Sequence, residues 1–388
     1  MNLFPLVLKD GNIYTGGSFE KLDLRIQAGV ITEIATCIDT SREDFVIDVS
    51  GYAVLPGLIN SHDHLEFNLF PRLGNPPYKN YVEWAEDVQK NFREEIRRIL
   101  KISIEDRLLW GGYKNLFSGV TTVFHHNSYH PIFSTDFPVT VFENYTWIHS
   151  LRLEKALESK LQNRDGQLCS IHVAEGVDEI AASELRTLDS LGGLTNRTFV
   201  VHGIAFDDED VERIVSKKAA LAWCPSSNMS LFGRTAPVEK LVGRIPIALG
   251  TDSAISGGSD LLHEMRVARK LKSFSAKQIL DMVTIIPARV LDIESGKIEI
   301  GRDADLFLFH PEDLKEPLAS LFSNSSPKIE LVLKKGTPVF GGVAFGEPFI
   351  QSGKKYSTIS IDGERKSVVG DFGELFSRIK KFLPETQL

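Results

Sequence analysis

The chain has 388 residues, of which 42% are hydrophobic and 25% charged, and its formal net charge is −8. This composition is typical of a globular protein with a sizeable core, and it excludes a disordered chain, a collagen-like fibre and a disulfide-rich miniprotein. Because 44 basic residues stand against 52 acidic ones and no Lys/Arg-rich run occurs, a nucleic-acid partner is excluded too.

The cysteines and the N-terminus indicate the cellular compartment. Cys37, Cys169 and Cys224 are far apart and form no CxxC pair, so neither a disulfide framework nor a thiolate zinc site is predicted. The N-terminus lacks the basic region of a signal peptide, and no stretch approaches the ~20 apolar residues that span a bilayer. We therefore predict a cytoplasmic protein with no membrane partner.

Both ends of the chain show the alternation that is typical of antiparallel strands. In the first fifty residues, apolar and polar residues alternate between predicted turns at Asp10-Gly11 and Ala28-Gly29. The same pattern returns beyond residue 295. Residues 1–52 and 296–388 are therefore predicted to form the two halves of a small β-sandwich, the second half with a C-terminal extension.

Residues 53–295 have a different pattern, in which apolar runs without alternation are each followed by a helical segment. This pattern predicts an α/β fold, a distorted TIM-like (β/α) barrel. A complete barrel has eight strands, but residues 146–168 are predicted to hold one helix and little else, so strand four is predicted to be missing. The seven runs are 54–59, 120–124, 138–142, 169–173, 198–202, 219–224 and 245–249.

Polar residues follow several of these runs, and in this fold they converge at the C-terminal face of the barrel. His62 and His64 end the first run, and residues i and i+2 of a strand point to the same side. Together with His172 and Asp252 they make a nitrogen and oxygen site that suits Zn²⁺ or Fe²⁺. We expect one divalent ion, Zn²⁺, with Fe²⁺ as the alternative.

Each of these residues has an ordinary structural explanation when taken alone. An isolated HxH pair is a weak signal, a lone strand-terminal His202 is more often a hydrogen-bonded core residue, and Asp252 could cap a helix. Four such residues in order at the ends of separate strands make coincidence a poor explanation.

Several motifs resemble the opening and closing signatures of the amidohydrolase superfamily. Two more, His172-x-x-Glu175 and Cys224-Pro-Ser-Ser-Asn228, resemble its branch of guanine and S-adenosylhomocysteine deaminases and triazine hydrolases. The superfamily motifs are VLPGLINSHDH at 54–64, GVTTV at 119–123, GTD at 250–252, TIIPAR at 284–289 and GKIEIGRDADL at 296–306.

The resemblance implies one metal ion held by His62, His64, His172 and Asp252, with Glu175 and His202 as catalytic residues, and it makes a homodimer an expected assembly. We predict hydrolytic deamination of an amino-substituted nitrogen heterocycle by metal-activated water. Glu175 would shuttle a proton to the ring, Asp252 would accept one from water, and His202 would orient the attacking oxygen. A plain helix-start carboxylate is the rival interpretation of Glu175.

The substrate contacts and the reaction class leave alternatives open. Glu66, His126 and Asn228 are predicted to contact a small-molecule substrate, although solvent, barrel-rim and turn roles are the alternatives. Hydrolysis of a cyclic amide or a chlorohydrolase reaction could use the same site, and an inactive binding protein on a truncated barrel is an alternative of another class. Structural or surface positions are predicted for His130, His149, His263 and His310.

Overall fold

Strands from the two ends of the chain share one ten-stranded sheet. The computed structural model describes residues 5–323, 327–361 and 363–387. The turn predicted at Asp10-Gly11 is wrong, because the first strand runs through it with a bulge between Leu8 and Gly11 and a positive φ of 60° at Asp10. The N-terminal strands are β1 (Leu6–Thr15), β2 (Ser18–Gln27), β3 (Val30–Ala35), β4 (Phe45–Asp48) and β5 (Ala53–Pro56).

The run predicted as the first barrel strand is divided between two sheets. β5 pairs with strands of the terminal sheet, whereas the barrel begins after Gly57. A Cβ at Gly57 would lie 2.3 Å from Oγ1 of Thr121, so the chain can pass this close to its neighbour only without a side chain. The barrel strands are β6 (Leu58–Asp63), β7 (Val120–His125), β8 (Thr140–Val141), β9 (Tyr145–Ser150), β10 (Leu168–Val173), β11 (Thr198–His202), β12 (Ala220–Trp223) and β13 (Ile247–Leu249).

The predicted absence of a strand between residues 146 and 168 is wrong. β9 lies there and pairs in parallel with β10. Only residues 142–144 separate β8, which pairs with β7, from β9. Side-by-side parallel strands need a crossover of about a dozen residues. β8 and β9 therefore follow one another along a single barrel position, and the barrel has seven positions although it has eight strands.

Helices cover the outside of the barrel, and its interior is filled by side chains such as the stacked rings of Phe124 and Phe199. The helical stretch over residues 81–99 is interrupted at Phe92 and forms two helices. The helices of this region are α1 (Tyr81–Asn91), α2 (Arg93–Ile99), α3 (Ile104–Phe117), α4 (Leu157–Gln162), α5 (Glu179–Ser190), α6 (Asp208–Ser216), α7 (Pro225–Phe232), α8 (Val238–Leu241), α9 (Leu261–Leu271), α10 (Ala276–Asp281) and α11 (Ile285–Leu291).

The C-terminal strands complete the terminal sheet, and the last helix packs on α3 of the barrel. Phe372 lies in this contact, with its ring 4.9 Å from that of Tyr113. In the described parts of the chain, no helix combines the length and apolar character needed to cross a bilayer. The remaining elements are β14 (Leu306–Phe309), α12 (Pro317–Leu321), β15 (Ile329–Lys334), β16 (Thr337–Gly342), α13 (Gly346–Gln351), β17 (Tyr356–Ile361), β18 (Glu364–Val369) and α14 (Phe372–Lys380).

Candidate active site

Five buried side chains meet at the C-terminal ends of the barrel strands. Nε2 of His172 lies 3.2 Å from Nε2 of His62, and Oδ1 of Asp252 lies 3.6 Å from Nε2 of both His62 and His64. One ligand atom from each of His62, His172, His202 and Asp252 lies within 4.8 Å of the others. The structure thus brings together the four residues predicted to bind metal, with His202 beside them.

The backbone around Asp252 explains how two distant segments meet. The Asp252 N–H donates to the carbonyl oxygen of His62 at 3.0 Å, and the His64 N–H donates to the carbonyl oxygen of Asp252 at 2.7 Å. A Cβ at Gly250 would lie 2.7 Å from Cβ of His62, so this approach requires glycine. Asp252 and His202 have positive φ angles of 61° and 73°, a strain that non-glycine residues carry most often at functional sites.

Hydrogen bonds fix which nitrogen of two imidazoles faces the centre. Nδ1 of His172 donates to the carbonyl oxygen of His149 at 2.5 Å, and Nδ1 of His202 donates to Oδ1 of Asn228 at 2.8 Å. In the neutral rings, Nε2 is therefore the acceptor, and it points into the cluster. Nitrogen lone pairs directed at a common point are what a metal ion requires of histidine ligands.

The two oxygens of Asp252 have separate partners. Oδ2 accepts hydrogen bonds from the hydroxyls of Ser227 and Ser256, each at 2.7 Å, which leaves Oδ1 turned to the histidines. Burial opposes ionisation of this carboxyl, but the hydrogen bond from His62 and the charges of neighbouring histidines outweigh it and hold the pKa of Asp252 well below its usual range.

His64, His172 and His202 are held in the neutral form. Burial, reinforced by the nearby imidazole of His62, lowers the pKa of His64 to about 3, and burial lowers the pKa of His202 to about 4. Burial and the neighbouring rings also lower the pKa of His172 well below its usual value. Neutral imidazoles and an ionised carboxylate are the protonation states in which these side chains bind metal. The donor set fits a divalent ion.

Glu175 lies next to the cluster, and its pKa is shifted in the opposite direction from that of Asp252. Burial is the main reason why the pKa of Glu175 is raised well above its usual value, and the charges of Asp252 and Glu184 add to the effect. Its Oε1 lies 3.6 Å from Nε2 of His202. A buried carboxyl that keeps its proton near neutral pH, beside a neutral imidazole, can act as a general acid.

Comparisons with known proteins agree with this site. A model of the amidohydrolase family matches residues 163–339. The chain is 27% identical to a 5-methylthioadenosine/S-adenosylhomocysteine deaminase of Pyrococcus furiosus over 79% of this chain and 86% of the relative. It is also 27% identical to a 5'-deoxyadenosine deaminase of Methanosarcina mazei, over 80% of this chain and 85% of the relative.

The chain resembles the amidohydrolase family. The predicted resemblance is confirmed, and with it a metal-dependent hydrolase acting on carbon–nitrogen bonds. Two solved structures share the fold. They are an adenosine deaminase from Xanthomonas campestris with bound zinc (TM-score 0.76, 17% identity, 98% of each chain covered) and a triazine hydrolase variant (TM-score 0.77, 17% identity, 98% and 100% covered). The predicted distorted barrel is therefore confirmed.

The three predicted substrate contacts differ in whether their polar atoms already have partners within the protein. Both ring nitrogens of His126 are engaged, by the hydroxyl of Ser170 at 2.9 Å and the carbonyl oxygen of Ile148 at 3.1 Å. Asn228 is buried and uses its amide on His202 and Thr235. Both side chains are thus already engaged by neighbouring protein groups, and their contact with a substrate stays a prediction.

Glu66 is the exception among the predicted contacts. It is buried, its Oε1 accepts from Nδ2 of Asn127 at 2.7 Å, and its Oε2 has no hydrogen-bond partner among the described residues. The nearest ionisable nitrogen to Oε2 is Nδ1 of His125 at 3.8 Å. A buried carboxylate oxygen without a partner is costly, and such groups occur where a ligand supplies the missing donor.

Two residues that sequence reasoning did not assign to the site support the donor cluster. His149, predicted to be structural or at the surface, lies at the barrel mouth and orients His172 through its carbonyl oxygen. Its position at the end of β9 was hidden because that strand was not predicted. Asp63 lies between the two histidines of the HDH motif that are predicted to bind metal, and it is buried. It accepts hydrogen bonds from Asn60, Asn68, Asn115 and Thr251 at 2.7–3.1 Å.

Proposed function

We propose that this protein removes the exocyclic amino group of an adenosine-type nucleoside by hydrolysis. The observation that carries the proposal is the pairing of a metal-type donor cluster with the buried carboxyl of Glu175, whose Oε1 lies 3.6 Å from Nε2 of His202 and whose pKa is raised well above its usual value by burial. The nucleoside class is supported by the names of the relatives from Pyrococcus furiosus and Methanosarcina mazei, which are deaminases of such compounds.

Zinc is the ion we propose for the cluster, held by His62, His64, His172 and Asp252. Imidazole nitrogens with one carboxylate oxygen suit Zn²⁺, and Nε2 of His172 lies 3.2 Å from Nε2 of His62 in the cluster. When bound, a divalent ion lowers the pKa of water and makes a hydroxide nucleophile available at neutral pH.

The protein's own groups would handle the protons. Glu175, protonated at neutral pH, would donate to a ring nitrogen of the substrate and so make the ring carbon more electrophilic. Asp252, ionised and held by two serine hydroxyls on one oxygen, would accept a proton of the attacking water through the other. It would then pass this proton to the amino group, which leaves as ammonia when the carbon–nitrogen bond breaks, while the proton of the new hydroxyl returns to Glu175. His202, fixed by Asn228, would orient the attacking oxygen with the nitrogen that faces the centre.

Glu66 is the group we propose for substrate recognition. Its unpaired Oε2 would accept a hydrogen bond from a donor of the substrate, a hydroxyl or amino group. A polar group of the substrate would then supply the hydrogen-bond donor that Oε2 of Glu66 lacks among the described residues.

The presence of Glu175 together with the whole donor cluster speaks against the binding-protein alternative, since a binding module needs no general acid.

Ammonia release tests the proposed reaction. The zinc-loaded enzyme is incubated with adenosine, 5'-deoxyadenosine, 5-methylthioadenosine and S-adenosylhomocysteine, with guanine, a pterin and cytosine as other amino heterocycles. We expect ammonia from at least one adenosine-type compound, and release that is about 10²–10⁴-fold slower from the Glu175→Gln variant. Glu179→Gln is the matched control, because Glu179 is an exposed carboxylate four residues further along the same loop and helix.

Other outcomes would overturn parts of the proposal. Ammonia only from the other heterocycles would refute the nucleoside class while keeping deamination. No ammonia, with hydrolysis of a cyclic amide or release of chloride from a chlorotriazine, would favour the alternatives predicted from the sequence. The cytoplasmic location and the homodimer stay predictions.

A further inference from the structure

A second cavity lies away from the metal-type cluster, between α3 of the barrel and the C-terminal strands. Its volume is about 460 Å³, which is within the range of small-molecule sites. None of the described residues that line it belongs to the donor cluster or is Glu175. Its apolar lining comes mainly from Trp110, Tyr113, Phe117, Leu262, Ile329 and Phe340.

Most charged groups that line this cavity are already paired. Lys328 and Lys366 each form ion pairs with Glu364, and Lys366 also pairs with Glu330. The carboxylate of Asp260 caps α9 by accepting from the His263 N–H at 2.8 Å. Each of these groups therefore already has a partner within the protein.

Lys114 is different. Its Nζ donates to Oδ1 of Asn68 at 2.6 Å, and no carboxylate oxygen of the described residues lies within 4.0 Å of it. An ammonium group has three donors, so one neutral acceptor leaves it under-satisfied. Burial lowers the pKa of Lys114, and the charge of Asp63 offsets this only in part. The cavity therefore combines an apolar lining with one ammonium group that has no carboxylate oxygen of the described residues within 4.0 Å.

We propose that this cavity binds a small amphipathic carboxylate, an aromatic or aliphatic body with a single anionic group, whose carboxylate pairs with Lys114. The apolar body would cover Trp110 and Phe340, and the carboxylate would accept the unused donors of Lys114. The site is separate from the catalytic one, so this inference does not depend on the proposed deamination.

A matched pair of probes tests the charge requirement. Binding of 2-naphthylacetate and of its neutral analogue 2-(2-naphthyl)ethanol to the metal-loaded enzyme is measured by isothermal titration calorimetry. Because a hydrogen bond to a charged group contributes more than a neutral one, we expect the carboxylate to bind at least about tenfold more tightly than the alcohol. Equal affinity of the two probes in the unaltered protein would overturn the proposal without any variant.

Variants then locate the site. Lys114→Met keeps the apolar stem and removes the charge, so it should weaken 2-naphthylacetate by about tenfold or more and change the alcohol by less than about threefold. Lys101→Met, at an exposed position outside the cavity, is the control and should change neither. Unaltered carboxylate affinity in a Lys114→Met protein with the normal melting curve and metal content would place the carboxylate elsewhere and refute the proposal.

Discussion

The imidazole of His202 and the amide of Asn228 are joined by a hydrogen bond of 2.8 Å at the barrel mouth. This bond connects the last residue of β11 to α7 and decides which nitrogen of His202 faces the donor cluster. Asn228 is held in turn by Thr235, to whose Oγ1 it donates at 3.2 Å. Asn228 is therefore a positioning residue that acts through His202.

Asn228→Ala should lower kcat by about 10–100-fold and change KM much less, because the ring of His202 loses its orientation. Asn228→Asp keeps an acceptor but adds a negative charge, which favours protonated His202, so the acidic limb of the kcat/KM profile should move to higher pH. The profiles are compared with that of Asn163→Ala, an exposed asparagine. Three identical profiles would contradict the positioning role.

Glu175→Gln should cut kcat by about 10²–10⁴-fold, the usual contribution of a positioned general acid–base, with KM moving far less. The change is nearly isosteric and touches none of the four residues proposed to hold metal, so the melting curve and metal content should stay normal. Steady-state kinetics and elemental analysis check both parts. Loss of metal would show that Glu175 is a ligand or supports one.

We expect one divalent ion per chain, and Ser256→Ala should weaken its retention by about 10–100-fold. The hydroxyl of Ser256 is one of two donors that hold Oδ2 of Asp252 and so aim Oδ1 at the histidines. Metal loss during titration with a chelator is measured against Ser259→Ala, whose exposed hydroxyl contacts Asp260 instead. Two ions per chain, or equal retention in both variants, would argue against this arrangement.

The free energy of unfolding should depend on pH through Glu184, and Glu184→Gln should remove this dependence. Burial raises the pKa of Glu184 to about 7 from 4.5 in the unfolded chain, so the folded state binds a proton that the unfolded state releases. The resulting stabilisation is complete below pH 4.5 and is lost as the pH rises through 7. Relative to Glu184→Gln, the free energy of unfolding should fall by about 3 kcal/mol from pH 4.5 to pH 8.

Urea unfolding at several pH values measures this difference. Glu179→Gln is the control, because Glu179 is exposed and lies on the same helix. A difference between the two proteins that stays constant with pH would show that folding does not shift the pKa of Glu184.

Phe372→Ala should lower the free energy of unfolding by about 3–5 kcal/mol, because it empties a buried aromatic position. Phe372 is 1% exposed, and its ring lies 4.9 Å from that of Tyr113 and 5.6 Å from that of Phe117. Phe382→Ala, at a side chain that is 41% exposed, should cost far less. Similar losses in both variants would show that α14 does not contribute to the core.

The sequence by itself determined the parts of this protein that local pattern encodes. Apolar runs followed by helices predicted the barrel, and polar residues at the ends of those runs predicted His62, His64, His172, His202 and Asp252 as one cluster. Both inferences use strand geometry and the convergence of strand ends, which need no knowledge of neighbouring chain segments.

Tertiary structure decided the details that depend on contacts between distant segments. β9 was missed because its six residues, Tyr145–Ser150, include His149 and Ser150 at polar positions and form a strand only by pairing with β10. The turn at Asp10-Gly11 became a bulge because the same residues pair along β2.

The supporting roles in the site were also decided at this level. Ser227 and Ser256 meet Asp252, and Asn228 meets His202, across gaps of 4 to 26 residues. A serine or an asparagine looks the same in the sequence whether its side chain contacts solvent, substrate or a neighbouring side chain. Only the packing of α7 against the barrel mouth chooses among these partners, because burial makes an unpaired polar group too costly to leave.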